Sequence, residues 1–252
     1  MLSMNEEKMR NKIKSFFKKI GPLVFPTIYC GLVIALAITI FYSFGKRSYL
    51  SIYIDGPSMQ PTLNNNAVKE EVYDSNTGVL KRLTKNTEFG YADKSNIAKD
   101  NIKHFDIVVT YFSNDYSNGQ LHQSADYKIK RIIALPGETF KIENGIISYK
   151  DNNGTWYTPE MPYTPNGTTY VDDKVIYPTA KDKAETTLEE NQYWVLGDNW
   201  KNSSDSQVNG PIKKEYIAGV LVAIEGTCTV VNQNGKNTFE DYNFYKKPIY
   251  YI

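Results

Sequence analysis

Residues 55–63 read DGPSMQPTL, placing Ser58 between Pro57 and Met59 with Gly56 just before them. A serine hydroxyl is a poor nucleophile until a base removes its proton, so the rest of the chain must supply that base. Histidine is the usual choice, and His104 and His122 are available. His104 stands at the start of an expected strand and His122 in the polar run SNGQLHQS. Neither has a triad context, and both read as surface residues. Lysine is the other option. It must be neutral to act, so its pKa has to fall from ~10.4 towards neutrality, a differential environment of roughly 3–4 kcal/mol. Desolvation among apolar side chains can supply that. The segment YKIKRIIALPGE, residues 127–138, offers such a place. Strand alternation puts Lys128, Lys130 and Ile132 on one face and Ile129, Arg131 and Ile133 on the other. Lys128 is then nearer the rim and Lys130 further in. Alternation alone favours a strand with exposed basic residues, so the residues by themselves leave the base open.

The elements that would carry this chemistry fall into two parts. From Gly21 to Phe44 the chain reads GPLVFPTIYCGLVIALAITIFYSF, without a charged residue. Some 20 apolar residues suffice to cross a hydrocarbon core of ~30 Å as a helix, and Tyr29 and Tyr42 suit the interfacial belt. The first twenty residues hold five Lys and one Arg against two Glu. The positive-inside rule therefore orients the span with the N-terminus in the cytoplasm and everything after Gly45 outside. A cleaved signal peptide would have a shorter apolar run ending in small residues; this one ends in Phe41, Tyr42 and Phe44. Before the span, Met9, Ile13, Phe16, Phe17 and Ile20 recur at helical spacing among lysines. That suits either a helix lying on an anionic leaflet or a disordered basic tail. The expected organisation is a basic cytoplasmic tail over 1–20, a transmembrane helix over 21–44 and an extracytoplasmic domain over 45–252.

That domain reads as mostly β, a compact antiparallel arrangement. Strands are expected over Leu50–Ile54, Asp106–Phe112, Tyr127–Ala134, Thr139–Ile142, Ile146–Tyr149, Tyr193–Leu196 and Ile217–Ile224. Asn144-Gly145 is a strong hairpin signal. Residues 64–103 and 150–190, polar and poor in sustained apolar runs, read as loop-rich insertions. A formal net charge of +1 gives no reason to expect nucleic-acid binding. Cys30 and Cys228 have no metal-ligand spacing and are not expected to form a disulfide. No cofactor or metal is expected.

Three motifs and a linking strand occur in order. They are Ser58-Met59-x-Pro61-Thr62-Leu63, Phe105-Asp106-Ile107-Val108-Val109, Lys130-Arg131-x-x-x-Leu135-Pro136-Gly137-Glu138, and Gly197-Asp198-Asn199-x-x-x-Ser203-x-Asp205-Ser206. The set resembles the bacterial type I signal peptidases, membrane-anchored Ser/Lys proteases, and the single span resembles their Gram-positive forms. The resemblance implies Ser58 as nucleophile, with its N–H as an oxyanion donor, and Lys130 as general base. It also implies that Ser203 orients Lys130, that Asp205 and Asp198 organise the GDN loop through Arg131, and that Met59 walls the site. Gly56 stands where some relatives carry a serine that completes the oxyanion hole. Trp200 and Gln207 stand where many carry arginine. The implied reaction removes signal peptides after small residues. The implied partners are secretory preproteins, the lipid bilayer and the secretion translocon. A catalytically dead relative assisting surface-protein or pilus assembly is the alternative, and it would be expected to lack the serine or the lysine. One constraint follows from the chain itself. The fourteen residues from Phe44 to Ser58 reach roughly 50 Å at most when fully extended, so a membrane-embedded span would keep Ser58 near the bilayer.

Overall fold

The computed structural model describes residues 4–74, 78–171, 174–176 and 182–251. The chain divides into two units, Met1–Ser48 and Tyr49–Ile252. The first holds one helix, α1 (Met4–Ser48). Among the described residues no helix is long and apolar enough to cross a membrane. The transmembrane helix expected over 21–44 is thus not found as such. Part of it, at 21–23, 25 and 42–44, lies outside the residues whose side chains are described, and the side chains of 26–41 are all exposed.

In the second unit the strands are, in chain order, β1 (Tyr49–Tyr53), β2 (Val68–Asp74), β3 (Val79–Asp93), β4 (Ile107–Thr110), β5 (Tyr116–Ser117), β6 (Gln120–Leu121), β7 (Lys128–Ala134), β8 (Thr139–Glu143), β9 (Ile146–Lys150), β10 (Trp156–Tyr157), β11 (Thr169–Val171), β12 (Lys174–Ile176), β13 (Lys183–Thr187), β14 (Gln192–Leu196), β15 (Ile212–Lys213), β16 (Ile217–Gln233) and β17 (Lys236–Tyr250). Two short α-helices, α2 (Asn96–Asp100) and α3 (Ser206–Asn209), and three 3-10 turns, Ser113–Asp115, Trp200–Asn202 and Lys214–Tyr216, lie between the strands. The main sheet runs β1-β3-β16-β4-β7-β14-β15, with β2 added to β3 and β17 to β16. A smaller sheet runs β10-β9-β8-β13. Every pairing is antiparallel, as expected for a mostly β domain. Asn144 and Gly145, at φ 51° and 77°, make the turn between β8 and β9. Positive φ at both central residues matches the twist of the flanking strands.

Hydrophobic burial is divided among three clusters. One, with Ile52, Ile54, Met59, Leu63, Ile129 and Ile224, lies beneath the Ser58 turn. A second, with Ile133, Phe140, Tyr149, Trp194 and Trp200, joins the smaller sheet to β7 and β14. The third gathers Val108, Phe112, Ile132, Val195 and Ile217. β7 contributes to all three, which is why six of its seven residues are buried.

The reading of 64–103 as a loop-rich insertion is corrected here. That stretch contains β2 and β3, and β3 is the strand that connects β1 to β16. The approach is close: a Cβ on Gly90 would lie 2.0 Å from the Ala223 carbonyl oxygen. Residues 150–190 hold the short strands β10 to β13, and 172–173 and 177–181 fall outside the described residues. Beyond Ile224, where no strand was expected, β16 continues and turns into β17. Together β2, β3, β16 and β17 extend the sheet as an arm. Phe239 of β17 stacks on Tyr53 at 3.9 Å between ring centroids, and Phe244 meets Phe89 edge-on at 5.2 Å.

Candidate active site

Ser58 sits in a turn closed by Gln60 N–H to the Pro57 carbonyl and Leu63 N–H to the Met59 carbonyl. Met59 and Leu63, four residues apart, are 1% and 0% exposed and anchor the turn in the core. Ser58 and Met59 line a cleft of about 860 Å³ with Tyr53, Ile54, Lys128 and Lys130. The arm residues Arg82, Leu83, Val230 and Phe239 form another wall of that cleft.

Lys130 is 3% exposed. Its Nζ donates to Ser58 Oγ at 2.9 Å and to the Ile129 carbonyl at 2.9 Å. Burial lowers its pKa to about 8, and Lys128 pushes the same way, while Asp205 and Asp198 oppose the shift from a distance. An ammonium held by a hydroxyl and a backbone carbonyl, with little water around it, is destabilised relative to its neutral form, which lowers the pKa. Lys128, two residues earlier and half-buried, instead donates to both carboxylate oxygens of Asp115 at 2.8 Å. The expected order, Lys128 towards the rim and Lys130 further in, is what the fold contains.

Arg131 is fully committed elsewhere. Its Nε and Nη2 donate to Asp198 at 2.8 and 2.6 Å, and Nη1 donates to the Phe105 carbonyl at 2.8 Å. The Tyr163 ring lies 4.1 Å from its guanidinium. Asp198, 0% exposed, also accepts from Thr62 Oγ1. The clamp therefore ties the Ser58 turn to both β7 and the GDN loop. Asn199 completes it, donating from N–H to the Ser58 carbonyl at 3.0 Å and from Nδ2 to the Pro57 carbonyl at 3.2 Å. Gly197 is required by this packing, since a Cβ there would lie 2.3 Å from the Ser58 carbonyl oxygen and 2.4 Å from Ser203 Oγ.

Asp205 does not bind Arg131. It caps α3, accepting from Gly197 N–H at 3.0 Å and from the Gln207 N–H and Nε2 at 3.0 and 3.2 Å. Its partner is thus the glutamine that stands in an arginine position. Trp200, the other such replacement, is buried in the cluster behind the smaller sheet. Ser203 was expected on Lys130; its Oγ is buried beside Gly197 with no hydrogen-bond partner among the described residues. Gly56 holds φ +89°, with open space where a Cβ would stand. His104 pairs with Glu138 at 2.7 Å, His122 is exposed, and neither lines the cleft.

A family model described as signal peptidase, peptidase S26, matches residues 25–224. The chain belongs to the signal peptidase family. It is similar to a probable signal peptidase I-1 of Synechocystis sp. (strain ATCC 27184 / PCC 6803 / Kazusa), 32% identical over 91 residues, 36% of this chain. The match spans 38% of that relative's length. A crystal structure of a signal peptidase I from Enterococcus faecalis V583 aligns with 28% identity, 48% of this chain, 96% of that one and a TM-score of 0.30. The family match ends at 224, so about half of β16 and all of β17 lie beyond it. Two members of the site stand in the motifs with no role implied by the resemblance: Thr62 and Asn199. Their types were a signal, a hydroxyl and an amide flanking the two loops that must meet. Their partners lie 136 and about 142 residues away, beyond any local reading.

Proposed function

We propose that this chain is a membrane-bound serine endopeptidase that removes signal peptides from secretory preproteins after small residues. Ser58 is the nucleophile and Lys130 the general base. The observation that carries this reading is the 2.9 Å contact between a 3%-exposed lysine and the hydroxyl of Ser58, within the signal peptidase family.

In its neutral form Lys130 accepts the Ser58 proton while Oγ adds to the scissile carbonyl carbon. The oxyanion so formed lies against the Ser58 N–H, a donor aimed at the developing charge. The lysine then returns its proton to the amide nitrogen as the C–N bond breaks, leaving an acyl ester on Ser58. Water, deprotonated by Lys130, hydrolyses the ester and Ser58 regains its proton. At pH 7 a group with a pKa of about 8 is neutral roughly one time in ten, enough to sustain this cycle.

β1 ends the main sheet and pairs with β3 alone among the described strands, and it leads straight to Gly56. An extended substrate segment can add to that free edge. Anchoring by residues 21–44 is supported by the absence of charge across them and by the exposed Leu32, Ile34, Leu36, Ile38 and Phe41. It accounts for a nucleophile so soon after the apolar run, since a signal peptide is also held in the bilayer.

The test is cleavage of a preprotein-derived peptide with an Ala-x-Ala junction, in detergent, by the wild type, Ser58→Ala and Lys130→Ala. Cleavage after the second Ala by the wild type only, with both variants folded, supports the reading. A wild type inert on such peptides would move the assembly-factor reading ahead of it.

A further inference from the structure

Between the Ser58 turn and β3 lies a second clasp that neither the three motifs nor the linking strand contains. Asn64, 2% exposed and at φ 59°, follows the turn directly. Its N–H donates to Glu88 Oε2 at 2.8 Å, and its Oδ1 accepts from the Glu88 N–H at 3.2 Å. The pairing is reciprocal, so each residue satisfies a backbone donor of the other. From the same side chain, Nδ2 donates to the Gly56 carbonyl at 3.4 Å. The Asn64 carbonyl accepts from Gln60 Nε2 at 3.0 Å. On β3, the Glu88 carbonyl accepts the Ile54 N–H at 2.9 Å. Asn64 and Glu88 thus hold the segment from Ile54 to Gln60 at three points on either side of Ser58.

The left-handed backbone at 64 suits Asn, one of the few side-chain-bearing residues that visit that region readily. Half-burial of Glu88 raises its pKa, opposed by the Asn64 N–H, so its carboxylate is kept in place by that bond. Neither residue lines the cleft, so neither is placed to touch substrate.

We infer that Asn64 and Glu88 are positioning residues for the oxyanion side of the Ser58 site. Asn64 holds the Gly56 carbonyl and thereby sets the Gly56–Pro57 peptide, which leads into the Pro57–Ser58 peptide that presents the Ser58 N–H. Glu88 fixes Asn64 from β3. The inference rests on the Ser58–Lys130 reading and names what orients it. It also explains how glycine is accommodated at 56: the peptide's direction is imposed from outside rather than by a side chain of its own.

The experiment measures kcat and KM separately on the Ala-x-Ala peptide, with thermal unfolding of each variant, for Asn64→Gly, Glu88→Ala, Glu88→Gln and Ser58→Ala. Asn64→Gly keeps the positive φ accessible and removes only the side-chain bonds. Misplacement of a reacting group by about 1 Å can cost ~10²-fold. The expected result is a kcat 10- to 100-fold lower in Asn64→Gly and Glu88→Ala, on the order of that cost, with KM within about twofold. Glu88→Gln, which keeps an oxygen for the Asn64 N–H, recovers most of the loss seen in Glu88→Ala. The inference is overturned if Asn64→Gly retains the wild-type kcat, if kcat falls only in step with the folded fraction, or if Glu88→Gln is as impaired as Glu88→Ala. Activity lost in Ser58→Ala but intact in Asn64→Gly defeats this inference alone. Activity intact in Ser58→Ala defeats the underlying reading as well.

Discussion

Along β7, Lys128 and Lys130 have the same side chain two residues apart and meet opposite conditions. Lys128, at the half-buried end, has the carboxylate of Asp115 in bidentate contact. Lys130, in the buried middle, has a serine hydroxyl and a backbone carbonyl. Arg131 beside it is as buried but fully paired with Asp198. Burial alone therefore does not make a base. Burial with the counter-charge withheld does, because the desolvation cost then falls on the charged form without Coulombic return. The neighbouring Arg, which cannot give up its proton, is where the fold places the carboxylate.

The comparison can be broken most forcefully by removing one member of the contact. Ser58→Ala and Lys130→Ala should each lower kcat/KM by at least ~10³-fold, and the double variant should lose little more, since groups acting as a unit are not additive. Steady-state kinetics on the Ala-x-Ala peptide measure this. Exchanging the environments comes next. Asp198→Asn leaves Arg131 buried with its charge unmatched and should destabilise the fold by about 3–5 kcal/mol, read by urea denaturation. Loss of activity should follow, because Thr62 and the GDN loop lose their anchor.

Lys130 also carries a stability cost of its own. Its folded pKa of about 8 lies below the unfolded value of ~10.4, so the unfolded chain binds the extra proton in that interval. Stability should consequently rise as pH increases from about 8 to 10.5, and below pH 8 the full cost, about 3 kcal/mol, is present. Lys130→Met should abolish that rise and gain up to about 3 kcal/mol at pH 7, measured by denaturation across the pH series. In the wild type, kcat/KM should climb with pH and level off above about 8. The smallest effect sharpens the contrast. Lys128→Gln removes a charge that lowers the Lys130 pKa, so the rising limb of the pH profile should move upward by a few tenths, a size set by screening of a partly exposed charge.

Local pattern carried the β7, β8, β9 and β14 strands, because each pairs apolar alternation with a turn signal at its end. It did not carry β2, β3 or β17. In KNTFEDYNFYKKPIY almost every residue is exposed, so aromatic residues alternate with charged ones and no buried face declares a strand. What makes β17 a strand is its pairing with β16, and the stacking of Phe239 on Tyr53 comes from 186 residues away. Ser203 and Asp205 show a different limit. Their place near the site was legible through the motif. The partners of Asp205 were not, because Gln207 meets it in the cap of a four-residue helix and Gly197 from the loop eight residues before it.

The sequence by itself determined which residue types were available: a serine in a proline-bounded turn, a KR pair on an expected strand, a GDN loop, and a charge-free stretch ahead of them. These are local properties of composition and spacing. Only the tertiary structure decided which of the two cations would lack a counter-charge. That choice depends on Asp198 arriving at Arg131 from 67 residues away and on Met59 and Leu63 pressing Ser58 against Lys130 from 72. Electrostatics at such a site is set by what is brought within a few ångströms and what water is excluded, and neither is written along the chain.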